Sequence, residues 1–519
     1  MRFDQLDLLI GRLFIIGFNG RSPEEDFLPR YRQLPAGGVI LFARNLGGVE
    51  EIKALTAAVE AAGKEVHGFS LFIAVDQEGG NLSPLRGRVT SLPGNMGLAA
   101  TGDPAAAYYA GRRTAVELRG LGFNLVFAPV LDLAANPANP VIGARAFSDD
   151  PETVATFGRA LASGLVDGGI LFTAKHFPGH GSCREDSHIT LPLCSTTRES
   201  LWQRDLLPFR KVLDLSGASV MTAHVRYSGL DPENPATISP RILQDLLRGE
   251  MGFDGVVITD DLEMEAIRSR HSPAEAAVRA LAAGADLVLV CHTFADQLAA
   301  FAAVKLAVKE GRLSMARIQE AAARVARWRE KSGMEPVEDD WERHWDPSIL
   351  AEKVITLLGE AGSWPFDHSP LAVVDPAYRA VTPAEDVGEI EPFFATMGEI
   401  GVPFARFNCQ ADPGPEEIAS LVETIRSGGY RRIVLILRHA AHYPGQRLLA
   451  VRLAEAGRLL LVSLGDPRET PIVGREFPAL CAYSSEPPVL VALARALGGE
   501  LTPTGRLPVR LAPVAEASV

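Results

Sequence analysis

A chain of 519 residues exceeds the roughly 250–300 at which single hydrophobic cores stop growing, so two domains are expected. With 47% hydrophobic, 22% charged and 7% aromatic residues, the composition excludes a disordered chain and fits ordinary globular cores. A formal net charge of -13 with no Lys/Arg run repels polyanions, and no nucleic-acid partner is expected.

The first segment, MRFDQLDLLIGRLFIIGF, carries Asp4 and Asp7 where an export signal is basic, and Arg12 interrupts its apolar stretch. The expectation is therefore a cytoplasmic protein. No uninterrupted apolar run reaches the roughly 18–20 residues needed to cross a bilayer, so no membrane partner is expected. The 5 cysteines, Cys183, Cys194, Cys291, Cys409 and Cys481, are odd in number and lack CxxC spacing, which fits reduced thiols.

Up to about residue 330, short β-branched runs alternate with longer amphipathic stretches, the pattern of βα units around a parallel sheet. The runs are GRLFIIGF, GGVILFARN, LFIAVDQEGG, FNLVFAPVLDL, ILFTAKHF, SVMTAHV, GVVITDD and ADLVLVCH, as many as a (β/α)8 (TIM) barrel requires. Most end on polar groups: Asn45, Asp76, Asp132, Lys175 with His176, His224, Asp260 and His292. In a barrel these gather at one mouth, where such folds build their sites. The helix SPAEAAVRALAAG is punctuated by Ser272-Pro273 at its start and Gly284 at its end.

The acidic, poorly periodic text SGMEPVEDDWERHWDP marks a boundary, giving a catalytic barrel over 1–335, a linker over 336–350 and a second domain over 351–519. The strands LAVVD, RRIVLIL, RLLLVSL and ALCAYSS, separated by helical stretches, make that second domain a doubly wound α/β sandwich. It holds no GxGxxG or GxxxxGK[ST] motif, and no cofactor is expected. The oligomeric state is read as monomer or homodimer.

The densest chemistry lies in AKHFPGHGSCREDSHITLP, residues 174–192, which offers Lys175, His176, His180, Glu185, Asp186 and His188 in a loop with Gly179 and Gly181. Asp186 and His188 share a side of an extended segment, so the carboxylate can orient the imidazole and raise its basicity. The histidine spacing matches no HExxH helix or Cys/His cluster, and no metal is expected. The bland alternative is a loop whose histidines satisfy buried carbonyls. In GFDGVVITDDLEM, Asp260 and Asp261 follow a buried strand. Either could attack an anomeric carbon, and either could cap the next helix.

The set AVDQEGG, NPVIGARAF, KHFPGHG followed by DSH, VMTAHV and ITDDLEM strongly resembles family 3 glycoside hydrolases of the β-N-acetylglucosaminidase branch. LLLVSLGDP and GGELTPTGRLPVRL are similar to the sandwich of two-domain members. The resemblance implies a retaining enzyme acting on terminal β-linked N-acetylglucosamine, with Asp260 as nucleophile and His188 paired with Asp186 as general acid/base. It makes Asp76, Arg145, Lys175 and His176 sugar-binding residues and places His224 and Met264 in the same pocket, with Asp132 and Asn45 as weaker candidates. It leaves room for phosphate as acceptor, and the alternative from another class is a non-catalytic sugar-binding protein on the same barrel. Two departures stand out. Pro84 occupies a position where relatives carry a sugar-contacting arginine, with Arg86 or Arg88 as candidates to replace it, and Ser182-Cys183 replaces a common Asp-Thr.

Overall fold

The computed structural model describes residues 3–511 except 184–186, 188, 334, 338–340, 342–344, 360–369, 381–387 and 475–476. The expected runs form β1 (Phe14–Ile16), β2 (Gly38–Ile40), β3 (Phe72–Val75), β4 (Leu125–Val126), β5 (Leu171–Phe177), β6 (Ala218–Thr222), β7 (Val256–Asp261) and β8 (Leu287–Val290). They close into an all-parallel barrel in the order β1-β8-β7-β6-β5-β4-β3-β2. These strands read as near-continuous apolar runs because both faces are covered, one by the barrel interior and one by helices. Val75, Val126, Phe172, Val220, Ile258 and Val290 are all fully buried.

The helices begin and end where their sequence says. Ser272 accepts from the Glu275 backbone N–H ahead of Pro273–Ala283, and Gly284 (φ +123°) closes that helix in a conformation side chains rarely adopt. The acidic crossing is pinned to the barrel: Val337 N–H donates to the Asp167 carbonyl at 2.8 Å, and buried Trp341 stacks on Tyr109.

A second sheet follows. It contains β9 (Thr356–Leu358), β10 (Leu371–Pro376), β11 (Phe404–Cys409), β12 (Arg432–Leu437), β13 (Arg458–Ser463) and β14 (Ala479–Cys481). The order is β9-β14-β13-β12-β10-β11, parallel except for β9 against β14. Separate apolar clusters cover its two faces, one around Phe393, Leu460 and Leu493 and one around Ile425, Leu435 and Leu453, so it is doubly wound. β9 and β11 are the edge strands that composition did not reveal. In β11, FARFNC presents polar side chains to solvent, a mark of an edge rather than a buried run. The five cysteines are all buried.

The two sheets' units touch at the barrel mouth. Arg86 Nε donates to Glu486 Oε1 at 2.9 Å, Ser485 N–H to Asn81 Oδ1 at 3.2 Å, and Arg506 N–H to the Ala100 carbonyl at 2.7 Å. Glu486 has no exposed surface, so its charge relies on such donors. Among the described residues no helix is long and apolar enough to cross a membrane.

Candidate active site

A cavity of about 490 Å³ opens at the carboxyl ends of the barrel strands, lined by Phe42, Arg44, Asp76, Arg145, Lys175, His176, His180, Asp260, Met264 and His292, among others. Strand-end residues scattered over the sequence thus converge on one mouth, as barrel topology requires. Two local irregularities matter. The β5–β6 ladder shifts register between Ala174 and Phe177, and successive residues Lys175 and His176 both reach the cavity. The β7–β8 ladder shifts between Ile258 and Asp261, where the paired acids lie.

The wall over β3 to β5 is ionic. Lys175 Nζ sits 2.7 Å from Asp76 Oδ1 and 2.7 Å from Glu78 Oε1. Arg145 grips Glu78 bidentately, Nε to Oε2 at 2.9 Å and Nη2 to Oε1 at 2.8 Å. Burial pushes the Glu78 carboxyl up, but Arg145 and Lys175 more than reverse this and hold it at about 2. Burial likewise opposes charge on Lys175, and Asp76 and Glu78 overcome it, holding the ammonium above its ordinary value. Such a network stays charged and fixed, with donors and acceptors left over for hydroxyls.

Behind His176 lies Asp132, fully buried. Its Oδ2 is 2.6 Å from His176 Nδ1 and accepts from the His176 N–H at 3.1 Å, and its Oδ1 accepts from the His180 N–H. Burial raises the Asp132 carboxyl, yet the two imidazoles and the backbone donors bring it below its usual value. Asp132 therefore orients His176 from outside the cavity, leaving Nε2 as the ring nitrogen available to a ligand. His180 is pushed down to about 4, chiefly by burial, so it is neutral near pH 7, and its Nε2 lies 3.1 Å from Ser187 Oγ. Ser187 sits between Asp186 and His188, both of which lie outside the described residues.

The acids at the end of β7 divide their work. Asp261 Oδ1 accepts from the N–H groups of Cys291 (3.1 Å) and Glu263 (3.2 Å), and Oδ2 is 3.3 Å from His292 Nε2. Asp261 thus ties β7 to β8; both acids line the cavity, and Asp260 receives the Asp261 N–H on Oδ1 at 2.8 Å. The helix Glu265–Arg268 is capped by neither acid, its N-cap being Met264. In the barrel order β7 stands across from β3, so Asp260 faces the ionic wall.

Several expectations need correction. His224 does not line the cavity. It is buried, with Nδ1 2.7 Å from Thr237 Oγ1 and Nε2 donating to the Asp261 carbonyl at 2.9 Å, so it props the end of β7 from behind. Asn45 is buried and spends its amide on the Phe18 and Gly20 carbonyls. Pro84 lines the cavity, and neither arginine stands in for a donor there: Arg86 binds Glu486 and the Gly80 carbonyl, and Arg88 binds the Gly47 and Leu46 carbonyls. Sequence reading also passed over Glu78 and Arg44. The signal for Glu78 was its place two residues after Asp76, on the same side of an extended segment.

This site, a carboxylate across from an ionic wall at a barrel mouth, is built on β3 to β7, all of which lie within the segment that the family comparison matches. The chain belongs to glycosyl hydrolase family 3, residues 5–328 matching the "Glycosyl hydrolase family 3 N terminal domain", and it is by class a glycoside hydrolase. It is similar to the solved glycoside hydrolase family 3 beta-N-acetylglucosaminidase from Paenibacillus sp. str. FPU-7, at 35% identity and TM-score 0.91 over 98% of this chain and 99% of that one. It is 42% identical over 293 residues to a beta-hexosaminidase from Alkalilimnicola ehrlichii, which is 55% of this chain and 82% of that protein. It is 39% identical over 271 residues to beta-hexosaminidase A from Pseudoalteromonas piscicida, of whose length the match spans 45%.

Proposed function

We propose that the protein is a retaining, exo-acting β-N-acetylglucosaminidase that hydrolyses terminal β-linked N-acetylglucosamine. The observation that carries the reading is Asp260 at the cavity surface, across the barrel from Asp76, Lys175, Glu78 and Arg145, beside an Asp261 that is tied to the Cys291 and Glu263 N–H groups and to His292. The full-length likeness to a protein named as a beta-N-acetylglucosaminidase supports the choice of sugar. Asp76, Arg145, Lys175 and His176 bind the sugar hydroxyls, with Met264 against its apolar face.

In the mechanism, Asp260 attacks the anomeric carbon while protonated His188, oriented by Asp186, gives its proton to the leaving oxygen. Neutral His188 then deprotonates water, which attacks the glycosyl-Asp260 ester and releases the sugar with its anomeric configuration retained. Imidazole, whose ordinary pKa is about 6.5, can serve both steps near neutral pH. The barrel over 1–335 carries this chemistry and the unit over 351–519 flanks its mouth. Cell-wall muropeptides or short chitin oligomers met in the cytoplasm are the fitting substrates.

The test is chromophore release from an aryl N-acetyl-β-glucosaminide against the aryl β-glucoside, each with and without phosphate. Release from the N-acetyl sugar alone, independent of phosphate, is expected. A phosphate-dependent rate with a sugar 1-phosphate product reassigns the enzyme as a phosphorylase, and release from neither aryl sugar removes the reading.

A further inference from the structure

The end of the barrel opposite the cavity carries a cluster that the proposed chemistry does not use. Arg12 and Phe69 stand just before β1 and β3, His67 ends the helix Val49–His67, and Arg329 lies in the last turn of the helix Met315–Glu330. They gather at the amino-terminal ends of the strands, the face that barrel folds give to stability and not to catalysis. The Phe69 ring is shared. The Arg329 guanidinium lies 3.7 Å from its centre and 4.8 Å from that of Phe72, the Arg12 guanidinium lies 5.2 Å from the Phe69 centre, and the His67 imidazole stacks on the same ring at 5.1 Å.

Two guanidinium charges thus rest on one ring. Among the described residues neither Arg12 nor Arg329 forms an ion pair or a side-chain hydrogen bond. Arg12 Nε, Arg329 Nε and Nη2, His67 Nδ1 and the Tyr31 hydroxyl are buried without a partner. Burial above all draws the Arg329 guanidinium down to about 10, and Arg12 adds to the effect. Burial, joined by both arginines against the pull of the Pro35 carbonyl at 3.0 Å, takes His67 down to about 4, so the imidazole is neutral near pH 7 and brings no third charge. Glu65 acts through space on Tyr31 and pairs with neither arginine. Stacking does not replace an acceptor, because the N–H bonds of a guanidinium lie in its own plane. Charged donors left so in a partly buried cluster carry a free-energy cost that an anion relieves.

The cluster is also open on one side. Arg12, Phe69 and Arg329 are each part-exposed, and the guanidinium nitrogens that are not enclosed, Nη1 and Nη2 of Arg12 and Nη1 of Arg329, have no acceptor among the described residues. Two cations match a dianion, and planar guanidinium forks suit phosphate geometry. We propose that Arg12 and Arg329 form a second ligand site, at the opposite end of the barrel from the cavity, which binds a phosphate group, either free phosphate or a phosphate monoester. The two arginines come from opposite ends of the barrel sequence, so the bound anion ties the approach to β1 to the last helix of the barrel and stabilises its closure.

The test is the thermal midpoint of the full chain in phosphate against chloride at equal ionic strength and neutral pH. Wild type should melt about 2 °C higher in about 10 mM phosphate, the shift of a site with a dissociation constant of about 1 mM. Arg12→Gln and Arg329→Met should each abolish the difference while keeping a cooperative transition in chloride. Arg329→Lys, which keeps the charge without the fork, serves where Arg329→Met does not fold and should lose at least about half of the shift. Glycerol phosphate in place of phosphate separates the two sources: an equal shift assigns the free anion, and a larger one assigns a monoester. Phosphate bound at the barrel mouth leaves the shift intact in all three variants, and that result overturns the proposal, as does a wild-type midpoint that neither phosphate nor its ester moves.

Discussion

The two sides of the cavity are built on opposite electrostatic terms. Over β3 to β5, Lys175, Arg145, Asp76 and Glu78 neutralise one another inside the protein, whereas over β8 and β2 Arg44 is held by carbonyl oxygens and a ring. A matched network recognises neutral hydroxyls by direction and costs the ligand no charge. The Arg44 guanidinium, on which the Asp261 and Glu263 carboxylates act only through space, is fixed by dipoles where the other side is fixed by paired charges.

The residue between the two sides offers the hardest test. Asp260→Ala should lower kcat/KM by roughly 10^4 or more, since the group is asked to form the covalent intermediate. His188→Ala should act mainly on kcat for poor leaving groups, while His176→Ala should raise KM. The reverse pattern would transfer the acid/base role to the His176–Asp132 pair, whose 2.6 Å contact makes it the competing dyad. Steady-state kinetics on two aryl leaving groups separates these outcomes.

The matched side breaks next. Glu78→Gln leaves Arg145 and Lys175 with less counter-charge, and removing one partner of a buried pair costs about 3–5 kcal/mol. A fall in kcat/KM of roughly 10²-fold is expected, because the sugar contacts lose their alignment. The pH dependence has a definite sign. Held at about 2 against an unfolded value of 4.5, Glu78 contributes stability that is complete above pH 4.5 and lost as pH falls through about 2. Thermal midpoints of wild type and Glu78→Gln should therefore differ at pH 6 and converge toward pH 2, and a gap constant over that range would show that charge is not its source.

A smaller effect, on stability, is expected behind the loop over residues 174–192. Asp205 is buried, accepts from Ser182 Oγ at 3.1 Å, and leaves Oδ2 without a partner, packed where a side chain on Gly179 would collide. Burial, aided by Cys194 and Asp132 against the pull of Ser182 and Arg204, raises its carboxyl to about 7. A carboxyl raised on folding confers stability that is full below its unfolded value of 3.8 and lost as pH rises toward 7. Asp205→Asn should thus unfold at the same temperature as wild type near pH 4 and a few degrees higher at pH 8. Melting curves at the two pH values decide it, and an equal shift at both would assign the change to packing.

How much of this was legible follows from the range of the interactions. The barrel strands were readable because each is a local run buried on both faces, as ILFTAKHF is, and strand ends mark the mouth without further information. The same rule overreached at His224, which ends β6 but turns its ring onto Thr237 and the Asp261 carbonyl, partners no local pattern announces. It missed Arg44 because the carbonyls that orient it belong to β1 and β8, distant in sequence. β11 was missed because an edge strand carries Arg406 and Asn408 where a buried run would carry Val or Ile.

The longest-range case also tests whether the second sheet's unit matters to the sugar side at all. Arg86 and Glu486 are 400 residues apart, yet they join the loop that begins at Glu78 to the start of the helix Pro487–Leu497. Arg86 also donates to the Gly80 carbonyl at 2.8 Å, so one guanidinium fastens the loop to itself and to its neighbour. Arg86→Met deprives Glu486, which has no exposed surface, of a donor and loosens the segment two residues beyond Glu78. The thermal midpoint should drop by several degrees, KM should rise roughly 2- to 5-fold, and kcat should change little, as expected of a loop that supports the proposed sugar-binding wall. Arg86→Met combined with Glu486→Gln removes the buried charge together with its donor and should recover the midpoint without recovering KM. If both variants keep the wild-type KM, the matched wall is self-sufficient and the second unit does no more than cover the mouth.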